Sequence, residues 1–268
     1  MSKRISFVTA NYVARQVGYR MTGGWRQGEE ATDEHMAPLD TFAGRFEEIL
    51  RDVRAMGFEA IEIWTAHLHW RWATDGHVAT ARDLLSRHNL PVASLAGWFG
   101  ETREQFEAAC RLAQALDTHV LAGMTSLLAQ DREALIDALK AYDVRFAYEN
   151  HPEKTPEETL AKIGGSDGGW IGTTVDTGNY GNQGGDALRA IEELGDRILH
   201  VHLKDVLAPG SHATCRYGRG CVPVEACVRA LEEMGYSGYY SVEHEPADYD
   251  PTEDCRANLS MVRQWLEA

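Results

Sequence analysis

Residues 198–205 read ILHVHLKD, a short apolar run in which His200, His202 and Lys204 recur at a spacing of two. In a β-strand alternate side chains share a face, so these three point the same way. Two imidazoles and an ammonium on one face of a buried strand add nothing to core packing, so the run is read as chemistry. Three other strand-like runs end in a similar manner. RFAYENH closes on Glu149 and His151, WIGTTVDTGNY reaches Asp176, and YYSVEHE carries Glu243 and Glu245. Carboxylates and an imidazole at the ends of separate strands form an inventory of metal ligands. Glu149, Asp176, His202 and Glu243 together suit a borderline divalent ion such as Mn²⁺ or Co²⁺; Mg²⁺ suits the nitrogen ligand less well. The alternative is a buried ion-pair network without metal, although three converging carboxylates need more cationic charge than Lys204 supplies.

The elements that must position these residues alternate along the whole chain. Strand-like runs occur at 5–10, 58–64, 91–95, 119–121, 145–148, 170–175, 198–203 and 239–242. Helical patterns lie between them. From Leu39, residues Phe42, Phe46, Ile49, Leu50, Val53 and Met56 follow helical spacing, with Gly57 as a stop. Thr102 with Gln105, and Thr155-Pro156-Glu157-Glu158, are helix starts of the capping-box type. Strict alternation implies a parallel sheet with crossover helices. Eight units without a break in composition predict one α/β domain over residues 1–268, a single (β/α)8 TIM barrel. No G-x-G-x-x-G follows the first strand, which argues against a dinucleotide-binding sheet. Residues 11–38 show no clear period and are expected to form a long first βα loop, a lid carrying Trp25. In such a barrel the C-terminal strand ends share one mouth, so the polar residues above converge there.

Other residues admit two readings. His67 and His69, beside Trp64, Trp70 and Trp72, could cap a loop or form a polar and aromatic wall against which a sugar stacks. Trp25 could join that wall or staple its own loop. His200, one layer deeper than His202, could be a hydrogen-bonded core histidine or a further ligand. His151 could support a ligand or carry a proton. His35, His77, His88, His119 and His212 are expected at the surface, and Cys215 and Cys221 are spaced too widely for zinc.

The totals bound the function class. A formal charge of −15 over 268 residues argues against binding nucleic acid or an anionic membrane. Five cysteines with no C-x-x-C spacing are expected as free thiols in a reducing compartment. The start MSKRISFVTA lacks the apolar stretch of a signal peptide, and no 18 apolar residues run together, so a soluble cytoplasmic protein is expected. Barrels of this kind often pair, which makes a homo-oligomer the prior.

The strings ENHPE, VDTG, HVHLKD, RYGRG and SVEHE resemble the strand ends of the xylose-isomerase-like, AP-endonuclease-like barrel superfamily. The nearest resemblance is to its sugar phosphate isomerase/epimerase branch, and it spans essentially the whole chain. For the ketose 3-epimerases of that group, the resemblance implies a metal held by Glu149, Asp176, His202 and Glu243. It also implies that Glu149 and Glu243 move a proton on and off the carbon beside the carbonyl. The chain departs from the pattern at three places. Asn179 stands where a substrate-binding histidine is usual, and Ala208 where an arginine is usual, with Arg216 or Arg219 as substitutes. Gly218-Arg219-Gly220 replaces G-E-G. The expected substrate-binding set is Trp64, His67, His69, His151, Asn179, Lys204, Arg216 and Arg219.

The implied activity is that of a divalent-metal-dependent sugar isomerase or epimerase, working by proton abstraction α to a carbonyl through a metal-stabilised enediolate. The partner is a small-molecule carbohydrate. A metal-dependent lyase or dehydratase on a keto-sugar or keto-inositol is the alternative, of the inosose dehydratase or 3-keto-glycoside cleavage type, and His151 keeps it open. A non-catalytic sugar-binding barrel is the third reading.

Overall fold

Eight parallel strands close into a barrel in the order β1-β10-β7-β6-β5-β4-β3-β2. They are β1 (Ile5–Val8), β2 (Ala60–Trp64), β3 (Val92–Trp98), β4 (Val120–Met124), β5 (Arg145–Glu149), β6 (Ile171–Asp176), β7 (Ile198–Leu203) and β10 (Tyr240–Val242). A two-stranded antiparallel hairpin, β8 (Asp205–Val206) with β9 (Thr214–Cys215), interrupts the passage from β7 to the next helix. The computed structural model describes residues 5–165 and 167–267. Residues 1–4, part of the start read as lacking a signal peptide, lie outside the described residues, as do Ser166 and Ala268, the last residue of the 1–268 domain.

Helices cover the outside of the barrel: α1 (Trp25–Met36), α2 (Leu39–Met56), α3 (Asp75–Arg87), α4 (Arg103–Ala115), α5 (Leu127–Gln130), α6 (Arg132–Tyr142), α7 (Pro156–Ile163), α8 (Thr177–Asn182), α9 (Ala187–Leu194), α10 (Val224–Glu233) and α11 (Thr252–Glu267). With helices on one side and the filled lumen on the other, β1, β2 and β6 are buried throughout. That is why they read as continuous rather than alternating apolar runs. The six apolar residues expected on the inner face of α2 are all buried, each contributing roughly 1.5–3 kcal/mol. Helix starts follow local chemistry. Thr102 Oγ1 accepts from the Gln105 N–H, Thr155 Oγ1 from the Glu158 N–H, and Asp186 Oδ1 from the Arg189 N–H.

The segment 11–38, expected as a long loop forming a lid, contains regular structure. Two 3₁₀ turns at 9–12 and 15–17 are followed by α1, a 12-residue helix. Its buried positions are Gly28, Thr32 and Met36, which recur every four residues but include only one large apolar side chain. A reading based on apolar periodicity therefore misses it. A Cβ at Gly28 would lie 2.4 Å from the Val13 carbonyl oxygen, so glycine is what lets α1 approach the first loop. His77, expected at the surface, is buried. Its Nδ1 lies 2.9 Å from Thr74 Oγ1 and its Nε2 lies 3.1 Å from the Ala37 carbonyl, so it closes the start of α3. All five cysteines are unpaired, and among the described residues no helix is long and apolar enough to cross a membrane.

Close packing of β2, β3 and β4 near the mouth depends on two glycines. Gly97 (φ 135°) and Gly123 (φ 153°) are paired in register, and a Cβ at Gly123 would lie 2.0 Å from the Gly97 carbonyl oxygen. Gly123→Ala should therefore cost at least about 2 kcal/mol in urea or guanidinium unfolding. Gly44→Ala, on the exposed face of α2 with open space at its Cβ, should stabilise by about 0.5–1 kcal/mol. Equal effects would show that the contact between β3 and β4 is not the constraint.

Candidate active site

The strand ends deliver their side chains to one place. Glu149 and Asp176 are the last residues of β5 and β6, His202 is the penultimate residue of β7, and Glu243 follows β10 directly. One ligand atom from each of these four lies within 4.8 Å of all the others, and all four residues are buried. His202 Nδ1 is 2.9 Å from Glu149 Oε1 and 3.1 Å from Glu243 Oε2. Lys204 Nζ lies 2.8 Å from Asp176 Oδ2, 3.2 Å from Glu243 Oε1 and 3.1 Å from Glu245 Oε2.

Two asparagines set these strand ends. Asn150 Oδ1 accepts from the Asp176 N–H and its Nδ2 donates to the Asp176 carbonyl, extending the β5–β6 ladder by a side chain. Asn11 does the same beside β10, donating to the Val242 carbonyl and accepting from the His244 N–H, which brackets Glu243. Asp176 Oδ1 also caps α8 by accepting from the Asn179 N–H, so one carboxylate orients the helix while its other oxygen meets Lys204. None of these roles was anticipated. The available signal was an asparagine at the position where a strand runs out of partners.

The electrostatics follow from burial of several carboxylates together. Burial alone would raise Glu149, but His151 and His202 outweigh it and hold its carboxyl well below the usual range. Burial opposes Glu243 as well, and Lys204 with His202 brings it down to about 2. Asp176 goes the other way. Burial raises it to about 6, with Lys204 opposing and the Glu243 and Glu149 charges adding to the rise. Burial, together with the Glu243 charge, pushes Glu245 well up. One ammonium, that of Lys204, and two imidazoles, those of His202 and the half-exposed His151, face these buried carboxylates, an arrangement that leaves room for the charge of a divalent cation. Glu243 Oε2 is buried with His202 Nδ1 3.1 Å away but out of line for a hydrogen bond, which leaves that oxygen poorly satisfied. The donor set, three carboxylate oxygens and an imidazole nitrogen, fits Mn²⁺ or Co²⁺.

The other expected residues divide. His151 joins the cluster, with Nε2 3.2 Å from Glu149 Oε2. Asn179 Nδ2 lies 3.4 Å from His151 Nδ1 and donates to the Asn150 carbonyl at 2.9 Å. Since an amide NH₂ can only donate, His151 Nδ1 is assigned as the acceptor and Nε2 as the N–H facing Glu149. Arg216 is not available as a substitute arginine, because its guanidinium binds Asp254 of α11 through Nε at 2.7 Å and through Nη2. Arg219 is exposed on the turn whose backbone N–H groups at Gly218 and Gly220 donate to Asp205 Oδ2. His67 and His69 sit in the loop after β2. His69 Nδ1 accepts from the Arg71 N–H, while His67 Nδ1 is buried without a partner. Trp64 is covered, meeting Trp25 edge-on at 5.3 Å and His67 at 5.5 Å, so Trp25 is the ring left exposed to solvent.

Reasoning from the chain missed Glu62, which is fully buried on β2. Its Oε1 accepts from His202 Nε2 at 3.0 Å and its Oε2 from His200 Nε2 at 2.8 Å. Its signal was the one applied to His200 and His202, a charged residue at alternate spacing in the apolar run AIEIW. His200 is therefore a hydrogen-bonded interior histidine, with Ser94 Oγ and Ser241 Oγ also within 3.2 Å of its Nε2.

Residues 50–265 match the family model described as xylose isomerase-like TIM barrel. Among characterised proteins, the chain is similar to L-ribulose-5-phosphate 3-epimerase UlaE of Escherichia coli (strain K12 / DH10B), 29% identical over 99 residues. That stretch is 37% of this chain and only 34% of the relative, so the chain matches about a third of the relative's length. Among solved structures, D-allulose 3-epimerase from Methylomonas sp. in complex with D-allulose superposes with a TM-score of 0.69 at 16% identity, covering 98% of this chain and 97% of that one. The structure described as the probable 3-DHS dehydratase AsbF from Bacillus anthracis gives a TM-score of 0.67 at 14% identity, covering 97% and 98%. At such identities the likeness is one of fold.

Burial, with Arg15 and His35 adding to it, brings the His67 imidazole from 6.5 down to about 3. The unfolded chain takes up that proton first, so the neutral form's contribution is complete above pH 6.5 and is lost as pH falls towards 3. Below pH 6.5 this one group should remove about 1.4 kcal/mol of stability per pH unit. Urea unfolding of the native chain and of His67→Gln at pH 7, 6 and 5 should give a flatter dependence in the variant. Parallel curves would show that His67 is protonated or solvated in the fold.

Proposed function

The chain belongs to the xylose isomerase-like TIM barrel family, and on that premise we propose that it is a divalent-metal-dependent sugar isomerase or epimerase. The observation that carries this reading is the pair of buried carboxylates, Glu149 at the end of β5 and Glu243 just after β10, both within 3.1 Å of one His202 nitrogen. A divalent ion held by Glu149, Asp176, His202 and Glu243, with Mn²⁺ as the best match, would act as a Lewis acid on the substrate's carbonyl oxygen. Glu149 and Glu243, kept ionised by their cationic neighbours, are suited to accept a proton from the carbon beside that carbonyl. Carboxylates approaching from two directions can remove the proton on one face and return it on the other. His151 Nε2–H, against Glu149 Oε2 and open to solvent on its other side, can pass a proton between that carboxylate and water or substrate. The substrate-binding residues in this reading are His151, Asn179 and Lys204 at the cluster, with the Trp64–His67–His69 segment as the wall beside it. A small carbohydrate with a ketone is the substrate class, in keeping with the epimerase named among the relatives and with the D-allulose bound in a neighbour of the same fold.

The second reading is elimination from a keto-sugar or keto-inositol. His151 favours it, because an imidazole N–H beside the base can protonate a departing β-substituent without a third carboxylate.

Free ketoses and 3-keto glycosides incubated with the protein and Mn²⁺ in D₂O should gain deuterium at the carbon α to the carbonyl, followed by NMR. Glu149→Gln and Glu243→Gln should each slow that exchange by about 10²–10⁴-fold. If no carbonyl sugar exchanges while sugars still bind, the barrel is a binding protein and the catalytic reading fails. Mn²⁺ at a hundred times its dissociation constant should also stabilise the fold by about 2.7 kcal/mol, seen as a rise in Tm. An unmoved Tm over millimolar Mn²⁺ removes the metal from the proposal.

A further inference from the structure

Glu62 is an ionised carboxylate sealed inside the barrel, away from the mouth and from any substrate. Taking such a group out of water costs several kcal/mol unless its lone pairs are filled. Here they are. His202 Nε2–H donates to Oε1, while His200 Nε2–H and the Ser241 hydroxyl donate to Oε2. Burial opposes its ionisation, but His200 and His202 outweigh that and keep its carboxyl far below the usual range. Three of the four lone pairs of Glu62 are taken by donors, and both histidines meet it through the Nε2–H they donate, so Glu62, His200 and His202 are read as a hydrogen-bonded network rather than as a second cation site. Ser94 and Ser6 extend the network, Ser94 Oγ lying 3.2 Å from His200 Nε2 and Ser6 Oγ 2.7 Å from Ser241 Oγ.

The two nitrogens of His202 are thereby assigned different tasks. Both nitrogens face carboxylates, which only accept, so without a cation each carries a proton; when Nδ1 gives its proton up to a cation shared with Glu149 and Glu243, the one that remains is on Nε2 against Glu62. Nδ1 faces Glu149 and Glu243, and only a deprotonated Nδ1 has a lone pair to offer them a shared cation. His200 packs edge-on to His202, with ring centroids 5.3 Å apart at 88°, and holds the other oxygen of Glu62, which fixes the plane of that carboxylate.

We propose that Glu62 is a positioning residue that locks His202 as the Nε2–H tautomer and so presents its Nδ1 lone pair to the Glu149, Asp176 and Glu243 carboxylates. The proposal rests on the metal reading of that cluster. β2 thus determines how a residue on β7 binds, without itself reaching the ion.

The test uses the full chain and two readouts other than turnover. Mn²⁺ affinity, from titration followed by the electron paramagnetic resonance of free Mn²⁺, should weaken about 10–100-fold in Glu62→Gln, because an amide in place of the carboxylate leaves one imidazole N–H facing an NH₂. Ser94→Ala loses a contact to His200 only, and its affinity should stay within about twofold of the native value. In the native protein loaded with diamagnetic Zn²⁺, long-range ¹H–¹⁵N spectra of His202 should show a protonated Nε2 and a metal-shifted Nδ1. Native-like Mn²⁺ affinity in a folded Glu62→Gln overturns the Glu62 role alone, as does an equal loss in Ser94→Ala. If Glu62→Gln does not fold, the native spectrum decides: a Zn²⁺-bound Nε2 or a protonated Nδ1 overturns the proposal. A native chain that binds neither Mn²⁺ nor Zn²⁺ sinks the metal reading, and this proposal with it.

Discussion

Five carboxylates, those of Glu62, Glu149, Asp176, Glu243 and Glu245, are buried in and just beneath one end of the barrel, and their mutual repulsion where water is scarce is the constraint the surrounding structure answers. Lys204 answers it by touching Asp176, Glu243 and Glu245 at once, and His202 by touching Glu62, Glu149 and the same Glu243. Burial, with the charges of neighbouring carboxylates adding to it, still displaces Asp176 and Glu245 upward. A structure selected for stability alone would replace such a group with packed hydrocarbon, often at no loss. Its retention is what the proposed cation and the proposed proton transfer would account for.

The fold was legible because a parallel barrel repeats one signal. Strand runs alternate with helices whose capping residues, such as Thr102, Thr155 and Asp186, mark their starts, and the structure keeps those starts. Boundaries moved by a few residues, as in β3, which continues past Leu95 to Trp98. The helix α1 was hidden because it turns a glycine and a threonine towards the core, and a scan for large apolar residues is blind to that face. The hairpin of β8 and β9 was hidden for a related reason: its order comes from Asp205, whose carboxylate gathers the backbone N–H groups of Gly218, Gly220 and Val222, and no local pattern encodes where those will fall.

The site was legible in its charged strand ends and illegible in its supports. Strand period and barrel geometry suffice to bring Glu149, Asp176, His202 and Glu243 together once the strands are identified. Arg216 shows the limit of that reasoning. A guanidinium on the correct loop was expected to face the substrate, yet Asp254, 38 residues further along, holds it. Asn11 and Asn150 act through side chains that imitate a missing strand neighbour, a role visible only when both strands are in place. Glu62 met the criterion used for the β7 histidines and was passed over because its strand carries one polar residue rather than three.

The bridge from β2 to β7 spans the lumen rather than following the wall, since two other strands, β1 and β10, separate them around the circumference. All four side chains of the cluster come from the second half of the polypeptide, and the carboxylate beneath their histidine comes from the first. Were the chain cut between β4 and β5, the C-terminal fragment would carry every atom of the cluster and still lack what sets its imidazole. The two halves of this barrel are therefore not interchangeable modules: one carries the clustered ligands, and the other carries the carboxylate that their histidine leans on.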